Sequence, residues 1–321
     1  MNKLQAMEVF VHVVDTGGFT RAAERLGIPK ATVTTAIRNL ETALKVRLLN
    51  RTTRRAAVTA DGAAYYERCV AILDQVRDAE ESVSTNQTSA SGRLRVDVAT
   101  SAARWTLIPA LADFQARYPD IRLELGCSDR PVNLIGDGVD CALRAGEILD
   151  QNLIARRIST MHFITCATPA YLASHGRPEH PRDLEKHRCI NYFSTVTGRI
   201  SQWDFDRGGE RLQLTLDGPL AVNDSSIYFD ACLAGLGIAQ LPTSLIREHI
   251  ESGRLEIVLG AWLSEPLPIH IVYPPNRNLS NKVRVFVEWI ADLFEHDERL
   301  TLHSSLATTA GSNTVVSSSL R

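Results

Sequence analysis

FTRAAERLGIPKATVTTAIRNLETAL, residues 19–44, reads as two short helices joined by a tight turn. In the second helix Val33, Ile37, Leu40 and Leu44 recur at helical spacing and form one buried stripe. Ala31, Thr35, Arg38 and Thr42 fall on the opposite face, with Thr32 and Thr34 at its edges. That outer face is small, hydroxylic and basic, which suits a helix pushed into a DNA groove. An ordinary solvated face more often carries Glu and Lys in pairs. In the first helix, Ala22 and Ala23 let a neighbour approach closely, as a helix-turn-helix requires. Gly27 closes that helix, and Pro29 presets the backbone for the next. The competing reading is one helical hairpin of an ordinary core.

The stretch that follows, RLLNRTTRRAAVT (residues 47–59), sets Arg51, Arg54 and Arg55 beside Thr52 and Thr53. Leu48, Leu49 and Val58 flank them, which predicts a small basic hairpin, or wing. Residues 1–59 hold ten Lys/Arg against four Asp/Glu, a net +6 in a chain whose total is −2; the remainder is therefore −8. A basic head on an acidic body is the charge pattern of a nucleic-acid-binding module joined to a different kind of domain. Lys30, Arg51, Arg54 and Arg55 are the phosphate candidates. Thr34, Thr35 and Arg38 are the base-edge candidates, with Thr32 and Thr53 completing the interface.

These residues carry a resemblance to the LysR-type transcriptional regulators. The matching positions are Ala22-Ala23-Glu24-Arg25-Leu26-Gly27, Thr34, Ile37, Leu40-Glu41, Leu44, Leu48 to Arg54, Thr59 and Gly62. Two positions depart from the family pattern. Lys45 stands where Gly usually follows the recognition helix, and Pro29 where a Ser cap is common.

With 321 residues, 44% hydrophobic and 22% charged, the chain can build two or three globular domains. No apolar run is long enough to span a bilayer, and the start, MNKLQAMEVFVHVV, lacks the pattern of a signal peptide. A cytoplasmic protein without membrane partners is expected. Cys69, Cys127, Cys141, Cys166, Cys189 and Cys232 are scattered without a C-x-x-C pair and read as small buried hydrophobes. His175, His180 and His187 read as surface-loop residues rather than a metal site, and no cofactor is expected.

From Ala60 to Gln87 the chain is rich in helix formers. Tyr66, Cys69, Leu73, Val76, Glu80 and Val83 form a heptad seam, which favours pairing with a second copy over packing on its own domain. The small polar stretch 88–92 reads as a hinge. Beyond it, strands alternate with helices: Leu94 to Ala99, a helix to Tyr118, Ile121 to Gly126, then Asp140 to Gly146. This is the signature of a parallel sheet with right-handed crossovers. Pro268 to Tyr273 and the amphipathic segment Ser280 to Phe294 are expected to return to that sheet.

The two α/β lobes resemble the effector-binding domain of the same family, which is itself similar to periplasmic solute-binding proteins. Ala170-Tyr171-Leu172, Ala234 to Ala239, Leu241-Pro242, Gly253-Arg254-Leu255 and Tyr273-Pro274 carry this second match. The expected architecture is an N-terminal all-α winged helix-turn-helix with a linker helix, then a C-terminal two-lobed, periplasmic-binding-protein-like α/β effector domain. The expected boundaries are 1–59 for the head, 60–87 for a dimerisation helix, 88–92 for the hinge and 93–300 for the effector domain. Lobe 1 takes about 93–161 and 267–300, lobe 2 about 162–266, and 301–321 is a disordered tail.

Open α/β sheets bind ligands beyond the carboxyl ends of their strands. Those ends here are Thr100-Ser101, Cys127-Ser128, Arg144 to Gly146, Thr195, and Asn223-Asp224-Ser225. Thr100 and Ser101 open a helix, where free N–H groups favour an anion, and Arg144 offers a bidentate clamp. The expected effector is therefore small and carboxylated, held by Thr100, Ser101, Ser128, Arg144, Thr195, Asn223 and Asp224. In the competing reading these are caps and turns, with Arg144 paired to Asp137 or Asp140.

An enzyme is disfavoured: G-x-S-x-G, Walker and HExxH motifs are absent, and Gly235-Leu236-Gly237 lacks the third glycine of a dinucleotide site. A sequence-indifferent DNA-packaging protein would have no use for an α/β body of this size. The reading that remains is a regulator of double-stranded DNA, a dimer or tetramer, whose DNA binding or bending responds to an effector between the lobes.

Overall fold

The computed structural model describes residues 2–52, 55–83, 90–148, 150–275 and 279–296. The chain divides into two compact units, one spanning Met1–Thr88 and a larger one beginning at Ser89.

The first unit is a helical head with a wing. Helix α1 (Lys3–Thr16) starts at Asn2, whose side chain accepts from the Leu4 N–H, and stops at the left-handed Gly17. Helices α2 (Phe19–Leu26) and α3 (Lys30–Leu44) follow, separated by Gly27 at φ 65. Strands β1 (Leu49–Thr52) and β2 (Arg55–Val58) pair antiparallel, Leu49 opposite Val58 and Thr52 opposite Arg55. Helix α4 (Ala60–Val83) completes the head. Phe10, Val13, Ala22, Val33, Ile37 and Leu40 form its core, all essentially inaccessible to solvent. Each of the larger side chains among them contributes roughly 1.5–3 kcal/mol on burial.

Two contacts bind the wing to the helices. Glu41 Oε1 accepts from the N–H groups of Leu48 (2.9 Å) and Leu49 (3.1 Å). Thr59 Oγ1 donates to the Arg47 carbonyl at 2.7 Å and accepts the Gly62 N–H at 2.9 Å, so it caps α4. Lys45 closes α3 in the left-handed region at φ 56, where a side chain costs about 1 kcal/mol more than glycine would.

Part of the linker seam packs on its own head. Cys69 is fully buried in the head's own core, and Tyr66 and Leu73 pack against that core. Tyr66 also donates to Asp15 Oδ1 at 2.5 Å. The first turns of α4 thus belong to the head, and Ile72, Val76 and Glu80 remain at least partly exposed.

The second unit begins with β3 (Gly92–Val98), α5 (Thr100–Ala102), a π-helical turn (Ala103–Leu107) and α6 (Ile108–Arg117). Next come β4 (Ile121–Cys127), β5 (Cys141–Ala145), β6 (Ile154–Met161) and β7 (Phe163–Ala167). Helix α7 (Pro169–His175), β8 (Ile190–Tyr192), β9 (Trp203–Arg207), β10 (Glu210–Leu214) and β11 (Leu220–Val222) follow. The chain continues through α8 (Ser225–Leu233), β12 (Ala239–Pro242), α9 (Thr243–Glu251) and β13 (Glu256–Ile257). It returns by β14 (Leu267–Tyr273) and α10 (Asn281–Glu295).

One lobe is a five-stranded sheet in the order β4-β3-β5-β14-β6. Strand β3 runs parallel to β4 and β5, while β14 enters antiparallel between β5 and β6. The other lobe holds the sheet β12-β7-β13, the parallel pair β11-β8 and the hairpin β9-β10. The hairpin was not anticipated from sequence. Trp203 and Phe205 alternate inward on β9, and Gly208-Gly209 (φ 62 and 94) supply the two positive-φ residues that a tight two-residue turn needs. Buried Asn191 accepts from Trp203 Nε1 (3.0 Å) and donates to the Leu216 carbonyl (2.8 Å), pinning the hairpin to β8. Among the described residues no helix is long and apolar enough to cross a membrane. The expected tail, 301–321, and residues 88 and 89 of the expected hinge lie outside the described residues, while Gly92, placed in the hinge from sequence, opens β3.

Candidate functional sites: a nucleic-acid face and an effector cavity

In the head, Val33, Ile37 and Leu40 turn α3 inward and leave Lys30, Thr32, Thr35 and Arg38 exposed. Among the described residues none of these four side chains has an ion-pair or hydrogen-bond partner, so each can engage a phosphate or base edge. Thr34 differs: it is half-buried, and its hydroxyl donates to the Lys30 carbonyl at 3.0 Å. That turns its proton back along the helix and leaves its oxygen only an acceptor's part at a base edge. Asn39 is exposed beside Arg38 and was missed, although its angular position on the helix could have revealed it. Arg51 and Arg55 lie on the paired strands of the wing. Thr53 and Arg54, between those strands, lie outside the described residues.

In the larger unit, the starts of α5 and α8 meet at one carboxylate, Asp129, in the loop after β4. It accepts the Thr100 N–H (3.1 Å) within its own lobe. From the other lobe it accepts the Ser225 N–H (2.5 Å), Ser225 Oγ (3.1 Å) and Tyr192 OH (3.0 Å). Thr100 Oγ1 donates to Asp224 Oδ2 at 2.9 Å, and the Ser101 N–H donates to Ser225 Oγ at 3.2 Å. Asp224 is also the cap of α8, accepting from the Ser226 and Ile227 N–H groups. Burial and the neighbouring Asp129 push the Tyr192 hydroxyl well above its ordinary range, so it stays protonated and donates.

Beside this junction lies a cavity of about 660 Å³, a size suited to a small molecule. Ser101, Ser128 and Arg144 are among its lining residues. Thr195, Asn223 and Asp224 do not; they line a separate, shallower crevice of about 410 Å³, shared with Ser128 and Asp129. Thr100 faces Asp224 rather than the cavity.

Arg144 also requires correction. Its guanidinium is ion-paired with Asp97, not Asp137 or Asp140, and Nη1 donates to the carbonyls of Leu143 (2.9 Å) and Asp97 (3.3 Å). Asp140 instead accepts the Arg95 N–H at 2.7 Å, and the Asp137 carbonyl accepts from the Arg95 guanidinium at 3.2 Å. Arg144 is thus committed, not a free clamp. Asp129 was missed because its partners lie up to 96 residues away in sequence.

All six cysteines are free thiols, and all but Cys127 are buried. Burial pushes the Cys189 thiol up to about 12 and raises Cys141 well above its ordinary range, and a hydrogen bond with Cys232 together with burial does the same for Cys166. Such groups are poor nucleophiles at neutral pH. His180 caps the 3₁₀ turn Pro181–Lys186, and His187 Nδ1 lies 3.3 Å from Tyr171 OH. The histidine cluster therefore has structural roles.

A winged helix-turn-helix head followed by a two-lobed α/β body with a cavity defines a DNA-binding regulator with a ligand-binding type of domain. Residues 4–63 match the family described as bacterial regulatory helix-turn-helix protein, lysR family, and residues 87–295 match the LysR substrate binding domain. The chain is 40% identical over 302 residues to an HTH-type transcriptional repressor of Pseudomonas aeruginosa, covering 94% of this chain and 95% of that one. The solved structure of the LysR-type regulator CrgA from Neisseria meningitidis is 35% identical, with a TM-score of 0.59 over 90% of this chain and 98% of that one. The full-length virulence activator AphB of Vibrio cholerae is 31% identical, with a TM-score of 0.57 over 90% and 98%. The chain belongs to the LysR family of transcriptional regulators. Its relatives are regulators rather than enzymes.

Proposed function

We propose that this regulator binds a specific DNA site through α3 and the wing, and that a small molecule in the cavity changes its DNA binding or bending. The observation that carries this reading is the cavity itself, walled by Ser101, Leu143 and Ile269 from one lobe and by Phe163, Trp203 and Gln240 from the other. A ligand touching both lobes binds their closed arrangement better than their open one, and only such differential affinity can shift a two-state equilibrium. The working assembly would be a cytoplasmic dimer or dimer of dimers, paired through the part of α4 that its own head leaves uncovered. Two heads would then reach successive major grooves.

Within the head, Thr32, Thr35, Arg38 and Asn39 would read base edges, and Lys30, Arg51, Arg54 and Arg55 would contact phosphates. Arg38→Ala is expected to cost about 1–3 kcal/mol on the operator and to flatten discrimination among altered sites. Lys30→Ala should weaken all sequences alike and lower the salt slope by about one. Fluorescence anisotropy over a salt series separates them; equal losses on every sequence in both variants would refute the assignment.

The effector reading is tested by a thermal-shift screen of the full-length protein against small metabolites. A true effector at a hundredfold over its dissociation constant stabilises by about 2.7 kcal/mol. It must also change operator affinity, since a binder that leaves DNA affinity unaltered is not the signal.

A further inference from the structure

The charge around the cavity opposes the carboxylated effector expected from sequence. Three carboxylates line it, Asp129, Asp204 and Glu265, against one cation, Arg144. Arg144 is already neutralised by Asp97. The N–H groups that would seat an anion, at the starts of α5 and α8, are already taken by Asp129. A ligand carboxylate would have to displace Asp129 and then face it.

The cavity wall also contains unmet acceptors. Asp204 Oδ1 and Ser264 Oγ are buried and have no hydrogen-bond partner among the described residues. Asp204 forms no ion pair with any described residue; only its backbone carbonyl is engaged, by Gln240 Nε2 at 3.1 Å. A carboxylate oxygen held away from water with nothing donating to it is costly, and it becomes favourable once a donor arrives. The rest of the wall is largely apolar and aromatic, including Phe163, Trp203, Leu245 and Phe294.

Resting on the reading that the cavity is the effector site, we infer that the effector is an amine: an apolar or aromatic body carrying an ammonium or comparable donor, which pairs with Asp204 beside Ser264. The apolar wall takes the body and the carboxylates favour the positive end.

The test compares matched pairs on the full-length protein: phenethylamine, tyramine and tryptamine against phenylacetate, 4-hydroxyphenylacetate and indoleacetate. Calorimetry is expected to show each amine bound at least about tenfold more tightly than its acid. Asp204→Asn should erase that preference while raising the melting temperature of the unliganded protein, because it removes the charge from a carboxylate whose Oδ1 is buried without a donor. A carboxylate that only supports the fold would not produce both changes. Ser264→Ala should weaken amine binding and raise the melting temperature less than Asp204→Asn does, since it removes a neutral unpartnered group.

Acids binding better than amines, neither series binding, or an amine preference surviving in Asp204→Asn would each overturn the inference. Ala145→Trp fills the cavity and separates the two claims. Acids that bind the unaltered protein but not Ala145→Trp would leave the cavity as the effector site and remove only the amine assignment. Amines that bind Ala145→Trp equally well would remove both.

Discussion

Replacing Arg144 by Leu is expected to destabilise the body by about 3–5 kcal/mol, the usual consequence of leaving one half of a buried ion pair behind. Asp97 would lose its counter-ion in a site where its side chain is 8% exposed. Gly126 packs so closely that a Cβ there would lie 2.5 Å from Asp97 Oδ2, which leaves little room for water to enter. The double variant Asp97→Leu/Arg144→Leu should recover most of the loss, since a buried pair exchanged for apolar groups of similar volume is often neutral. Urea unfolding of the three proteins measures this as a double-mutant cycle. If the double variant is as unstable as the single one, Arg144 supports the fold by packing and not by charge.

Gly62→Ala is expected to cost the head about 3 kcal/mol, the upper end of overpacking penalties. A Cβ at Gly62 would sit 2.1 Å from the Leu48 carbonyl oxygen and 3.0 Å from Val58 Cγ1. Neither side yields easily. The Leu48 N–H is held by Glu41, its carbonyl accepts the Thr59 N–H at 3.0 Å, and the Gly62 N–H is held by Thr59. Relief requires β1 to move away from α4, carrying the wing out of register with α3. Operator binding should therefore fall on every sequence, in contrast to Arg38→Ala, which alters preference. Melting and anisotropy read this directly; unchanged affinity in the Gly62→Ala variant would show that the wing tolerates the shift.

The parts legible in the sequence were those governed by local rules. The spacing of Val33, Ile37 and Leu40 orients α3, Gly27 ends α2 with its positive φ, and alternating strands and helices announce a parallel sheet. Pairings that depend on register were not legible. Asp97 faces Ala142 across β3 and β5, and Arg144 lies two residues beyond Ala142 on the same face. Their ion pair is a diagonal neighbour contact, evident only once the register is known. Asp137 and Asp140 are nearer in sequence but face Arg95. The seam of α4 illustrates a different limit. A narrow apolar stripe is the same pattern whether it meets a second copy or the core of its own head, and Cys69 and Leu73 meet their own head. The hairpin at Gly208-Gly209 could have been read from the paired glycines between WDFDR and ERLQL.

The shared carboxylate at the meeting of α5 and α8 has a consequence for how the two lobes can separate. Asp129 ties together four donors, three of them from the opposite lobe, so the lobes cannot part by a fraction without stranding a charge. Parting the lobes would lengthen the three bonds from the opposite lobe together, so they are lost as a set. The arrangement favours a lobe pair that is either latched or released. If the proposed effector acts through these lobes, its dose would alter the number of latched molecules and not the posture of any one.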